Sequence, residues 1–290
     1  MSGSVNLNLS GVPETLLIPL YIRAMESQRP DAMMKDEKAV ALVTHMNSGI
    51  DRVRQIPMTE AHKVMRIMLT RQIDCYARDF LIRHPEAVVV HIGCGLDSRF
   101  ERSDNGQAEW YDLDFPAVID LRRKFIRGEG GRYHLLSCSV LEDAWLNTVS
   151  AHGRRPFLFL AEGVFMYFKE EQVRQLVLTL RDRFPDAELV FDSWTPFCIW
   201  LGNRLLSRSH SRFTGLMQWG FRRSREIESW GDGIRLLDEW GYFDCPEQRL
   251  DSFRWMAPLF RLLKPMRIFR FRLGKAQDRP GDHVHAERIQ

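Results

Sequence analysis

The chain has 290 residues, enough to bury a large core in one elaborated domain or in two small ones. A hydrophobic share of 44% and a net charge of +3 give an ordinary globular composition, and the charge is too small to point to nucleic acid. The five cysteines (Cys75, Cys94, Cys138, Cys198, Cys245) lack any C-x-x-C pair, which argues against a disulfide framework and a structural zinc site, so no metal is expected. No leader pattern and no apolar run of membrane-spanning length is found, so the expectation is a cytoplasmic protein without a membrane partner.

Residues 1–12 read as a flexible lead, and residues 13–274 as a single domain. Its first part, 13–85, is a helical preface. Leu16, Leu17, Leu20 and Ile22 start a helix that runs toward a break at Pro30, and Asp36 to His45 gives a second. Thr59 to Arg83 gives a longer one, with Val64, Ile67, Met68, Ile73, Phe80 and Leu81 close to a 3.6-residue period. The apolar run Val88 to Ile92 then reads as a buried parallel strand, broken by Gly93-Cys94-Gly95. A second strand, Trp110 to Asp114, stops at Pro116, and a helix from Ala117 to Arg127 ends at the following glycines. Arg132 to Val140 and Pro156 to Gly163 are the next strands. Glu170 to Phe184 is an amphipathic helix, and Ala187 to Asp192 another strand.

After these, residues 195–230 break the alternation. Trp194, Trp200, Phe213, Trp219 and Phe221 make this stretch an expected lid or substrate wall, against the plainer alternative of a helical hairpin completing the core. Gly231 to Trp240 reads as a helix. Met266 to Leu273 alternates apolar and basic residues, as a last sheet strand exposed on one face would. Residues 275–290 read as a flexible tail.

The βαβα order predicts an α/β fold with a doubly wound, mostly parallel, Rossmann-like sheet. Ligands of such sheets bind outside the carboxyl ends of the strands, and three strand ends here carry acids: Asp114, Glu162 and Asp192. Asp114 lies about twenty residues beyond the glycines, where a nucleotide-binding unit places its ribose-binding acid. The glycine loop departs from G-x-G-x-x-G, however. Ser98 stands at the third glycine and Asp97 where a pyrophosphate would have to sit. That disfavours NAD and is compatible with S-adenosylmethionine, which carries adenine, ribose and an amino acid but no phosphate.

Arg71 on a helix, then H-I-G-C-G-L-D-S-R, Y-D-L-D-F-P and L-A-E-G-V-F-M-Y-F, together resemble the leucine carboxyl methyltransferase family. The likeness runs from about residue 19 to residue 243 and is closer to the bacterial, tetracenomycin-type branch that methylates polyketides. It implies a class I methyltransferase fold with S-adenosylmethionine as methyl donor. By that resemblance Arg71 pairs with the cofactor's carboxylate, and Gly93 and Gly95 lie against the cofactor. Asp114 accepts from the ribose hydroxyls, with Asp112 as its rival, and Glu162 faces the methionine ammonium. Ser139 and Val140 stand where the family often has an Asp-Leu pair that reads the adenine. Tyr167 and Arg23 are assigned to orient the acceptor. The expected activity is O-methylation of a small-molecule carboxylate or hydroxyl, of polyketide or other secondary-metabolite type, by a monomer or homodimer. Methylation of a protein C-terminal carboxylate and a non-catalytic cofactor-binding sensor remain as alternatives. A phenolic acceptor would benefit from a base, for which His210 and His134 are the candidates.

Overall fold

A computed structural model of the protein describes residues 16–126, 128–208, 216–245 and 247–274. The expected lead and tail, and also His210 and Phe213, lie outside the described residues. Strands β1 (Val88–Ile92), β2 (Glu109–Asp114), β3 (Tyr133–Ser137), β4 (Phe157–Ala161), β5 (Ala187–Trp194), β6 (Ile234–Gly241) and β7 (Met266–Leu273) form one sheet, ordered β3-β2-β1-β4-β5-β7-β6. The first five are parallel, and β7 runs antiparallel between β5 and β6. Every residue of β1 and β4 is buried, as a parallel sheet covered on both faces requires. Val88 and Val90 pack into a core on one face with Phe159 and Phe191. Val89 packs on the other with Phe80 and Ile73 of α4 (Glu60–Arg83).

The preface is α1 (Leu17–Ser27), α2 (Glu37–His45), α3 (Asn47–Arg54) and α4. Asp36 caps α2 by accepting from the Ala39 amide, and Thr59 caps α4 by accepting from the His62 amide at 3.2 Å. Leu17, Leu20, Leu42 and Ile50 bury a separate cluster that includes Leu96 of the glycine loop and Leu121 of α6 (Pro116–Phe125). The preface is thereby fixed to the turn after β1. Three further helices lie between or beside the strands: α5 (Arg99–Ser103), α7 (Ala144–Ser150) and α8 (Glu170–Arg183).

Three expectations need correction. Gly231 to Trp240 is not a helix: Ile234–Gly241 is strand β6. Its apolar spacing misleads because the ladder to β7 shifts register between Leu236 and Asp238. The bulge drops Leu237 out of the alternation and leaves it exposed. β7 is not exposed along one face. It lies inside the sheet, and its Arg270 is held by Glu188 at 2.6 Å and Asp79 at 2.8 Å. The stretch 195–230 also contributes to the main core. It contains α9 (Pro196–Arg208) and α10 (Ser224–Glu228), and between them Trp219 and Phe221 are buried with their rings 5.4 Å apart. Phe197 and Trp200 of α9 are exposed.

Candidate cofactor site

In parallel register Ile92 stands beside Leu113 and Ala161, so the residues that follow β1, β2 and β4 emerge in one row at the carboxyl edge. The turn after β1 uses the conformational freedom of glycine. Gly93 has φ +63°, and a side-chain carbon there would fall 2.4 Å from Val164 Cγ2. Gly95 has φ +53° and would meet Leu16 Cδ1 at 2.7 Å. Asp114 ends β2 and accepts from the Gly95 amide at 2.8 Å and the Phe115 amide at 2.7 Å. Two backbone donors fix the carboxylate while leaving lone pairs for further donors. Burial raises its pKa above the usual carboxylate range, against those two hydrogen bonds.

Asp112, the rival acid, is fully buried and fully engaged. It is paired with Arg122 and accepts from the Tyr133 hydroxyl at 2.6 Å and Trp110 Nε1 at 2.9 Å. Arg122 in turn donates to the carbonyls of Gly95 and Asp97, both at 2.8 Å. The glycine turn is thus gripped from beneath by a guanidinium fork, a task for which Lys has the wrong geometry.

Glu162 follows β4 and accepts from the Thr70 hydroxyl at 2.8 Å and from Arg99. Arg99 also pairs with Asp97 at 3.1 Å and Asp74 at 2.9 Å. Asp97 does not stand open in the loop but is buried among cations. Arg102 lies 2.8 Å from it and Arg23 3.6 Å. Burial would push its carboxyl up, but the surrounding guanidinium groups hold it well below the ordinary range. The third-glycine position, Ser98, donates to Asp36 at 2.5 Å.

This network also corrects Arg23. It is buried, paired with Asp36 at 2.9 Å and bonded to the Leu96 carbonyl, so it braces the preface against the loop and is not free to orient an acceptor. Arg71 is exposed and makes no hydrogen bond or ion pair among the described residues. Its neighbour Thr70 faces Glu162, and one turn earlier Arg66 stands 3.6 Å from where a Gly163 side-chain carbon would be. Among the described residues no carboxylate is paired with Arg66. Sequence reading missed it because four arginines lie between positions 66 and 83, and helix phase alone decides which one faces inward.

Beyond β3, Ser139 is half-buried and its hydroxyl oxygen accepts from the Leu141 amide at 3.2 Å. Val140 is buried, with its carbonyl held by Trp145 Nε1 at 3.0 Å. Beyond β4, Tyr167 lies on a 3-10 turn (Phe165–Tyr167), and its carbonyl accepts from Gln218 at 2.6 Å. Asp192, near the end of β5, accepts from the Gly163 amide at 2.5 Å. Burial pushes its carboxyl up to about 6. The buried Tyr242 follows β6, and after burial the charge of Asp192 raises its phenol further. His134 is elsewhere: it pairs with Glu109 at 2.9 Å and stacks on Tyr111, low on the outer strands.

A family model for leucine carboxyl methyltransferase matches residues 17–181, which include the glycine turn, Asp114 and Glu162. The chain belongs to that family. It is 34% identical over 245 residues to the tetracenomycin polyketide synthesis O-methyltransferase TcmP of Streptomyces glaucescens, covering 83% of this chain and 86% of that one. It is 28% identical to the S-adenosyl-L-methionine-dependent methyltransferase dpfgK of Gibberella zeae, covering 89% of this chain and 92% of that protein. The fold is shared with a DUF574 family protein from Streptomyces avermitilis at TM-score 0.57 and 16% identity, covering 90% of this chain and 97% of that one. The chain is a class I methyltransferase that uses S-adenosylmethionine. Among the described residues, no helix is long and apolar enough to cross a membrane, and no group of acids, histidines and cysteines could hold a metal.

Proposed function

We propose that this methyltransferase transfers its methyl group to an oxygen of a small-molecule acceptor of the secondary-metabolite type, a carboxylate in the first instance. The observation that carries the reading is the row Gly93, Asp114, Glu162 and Arg66 along one sheet edge. The cofactor supplies an electrophilic methyl on a sulfonium. The glycine turn lets the backbone approach it closely, and Asp114, already oriented by two amides, accepts from the ribose hydroxyls. Glu162, braced by Thr70 and Arg99, complements the ammonium. Arg66 takes the carboxylate in place of Arg71. Ser139 and Val140 border the adenine, whose amino group can donate to the second lone pair of the Ser139 hydroxyl. Tyr167 borders the acceptor.

A carboxylate acceptor is ionised at neutral pH and needs no base, so this chain's residues have only to orient it in line and exclude water. Orientation alone can lower such a barrier by roughly 7–11 kcal/mol. The pairing of His134 with Glu109, away from the carboxyl edge, fits a transfer without a histidine base. Similarity to TcmP supports a polyketide-type acceptor.

The test is to incubate the protein with methyl-labelled S-adenosylmethionine and a whole-cell extract. Label should appear in a low-mass methyl ester and be released as methanol by mild base. Base-stable label would mean a hydroxyl acceptor. Label that precipitates with protein would mean a protein carboxylate.

A further inference from the structure

Two adjoining cavities of about 140 and 210 Å³ open at the carboxyl edge. They lie between the exit of β6 and α11 (Ala257–Leu263). Gly241 of β6 and Ser193 of β5 both stand opposite Arg267 of β7, so this exit is in the same row as the end of β5. Each cavity alone is below the roughly 300–1,000 Å³ of a typical small-molecule site, and together they reach its lower end.

Both are walled by Tyr242, Phe243 and Arg261. Phe260 closes the larger one, its ring edge-on to Phe243 at 5.0 Å. Tyr242 also lies within range of the charges of Asp192, Arg66 and Glu162. One wall residue of the cavity is thus shared with the surroundings of the acids at the ends of β4 and β5.

The carboxylates that line the cavity are all engaged. Glu239 is paired with Lys264 at 2.9 Å and with Arg267, Asp244 accepts from the Gly241 amide at 2.8 Å, and Glu247 accepts from Arg249 at 3.3 Å. Arg261 donates to the Phe243 carbonyl at 3.2 Å and, among the described residues, has no carboxylate partner. What remains is an aromatic-walled cavity with one guanidinium free of a carboxylate beside it, suited to aromatic contact and to an anion.

We infer that this cavity is the acceptor subsite, taking a planar aromatic body whose far acidic edge meets Arg261 while the oxygen to be methylated reaches back past Tyr242. The inference rests on the reading of function above and deepens it.

The probe is anthraquinone-2-carboxylate, titrated calorimetrically into the full chain with S-adenosylhomocysteine present. Saturable one-to-one binding is expected. Arg261→Glu should weaken it at least tenfold, and Ala257→Trp, which fills the smaller cavity from a helix with no buried residue, should weaken it likewise. Neither change should alter the affinity for S-adenosylhomocysteine. No saturable binding to the wild type, or equal binding to both variants, would overturn the subsite. Failure of the wild type to bind S-adenosylhomocysteine would overturn the reading of function instead, and the subsite with it.

Discussion

Arg122 and Asp112 form an ion pair in which both side chains are fully buried, and the same guanidinium reaches up to the carbonyls of Gly95 and Asp97. The pair therefore couples the second strand to the glycine turn. Arg122→Met alone leaves Asp112 as an uncompensated buried charge, at a cost of about 3–5 kcal/mol in stability. Adding Asp112→Asn removes that charge and restores much of the stability, but the turn carbonyls stay unheld. The double variant should therefore unfold in denaturant near the wild-type midpoint yet bind S-adenosylhomocysteine at least tenfold more weakly. Wild-type affinity in the double variant would show that the turn needs no clamp.

Asp114→Ala removes the acceptor for the ribose and leaves the Gly95 and Phe115 amides without their partner. Cofactor affinity should fall by about 1–3 kcal/mol, the scale of a charged hydrogen bond lost. Calorimetric titration of a variant with unchanged circular dichroism checks this, and an unaltered dissociation constant would remove Asp114 from the site.

The two α4 arginines separate cleanly. Arg66→Ala should weaken S-adenosylmethionine binding by tenfold or more, because it deletes the inward guanidinium. Arg71→Ala should stay within about 0.5 kcal/mol of wild type, as an exposed substitution does. The reverse order in a side-by-side titration would return the role to Arg71.

Asp192 predicts a pH dependence. Its folded pKa of about 6 lies above the ordinary 3.8, so the native state binds a proton more tightly than the unfolded chain does. The group's contribution to stability is therefore greatest below about pH 4 and declines as pH rises through 6. Asp192→Asn keeps an acceptor for the Gly163 amide without the buried charge. It should raise stability at pH 7–8 by an amount on the order of 1–3 kcal/mol and lose that advantage near pH 4. Denaturant melts at both pH values test it, and an equal offset at each would refute the assignment.

The sequence and the structure part where local signals meet long-range ones. β1, β2, β4 and β5 were legible because buried parallel strands are continuous apolar runs, and the acids at their ends follow from the turn chemistry. β6 was not, because its bulge at Leu236 to Asp238 destroys the period of two and only pairing with β7 makes it a strand. The glycines and Asp114 were legible at their own positions. Arg66 was hidden among neighbours of the same type, and Arg23 looked available because its partners, Asp36 and Asp97, come from separate elements. The neutralising cluster around Asp97 joins α1, α2, α4 and α5, and no local window contains it.

Among the described strands β7 comes last in sequence, yet it lies between two strands that are already present when it is made. Until residues 266–273 leave the ribosome, β5 has an open edge and β6 has no neighbour in the sheet. The sheet therefore closes only once β7 has been made. A chain stopped just short of Met266 would lose the junction that carries β6 and Tyr242 to the site, although most of its residues and nearly all of its motifs were intact.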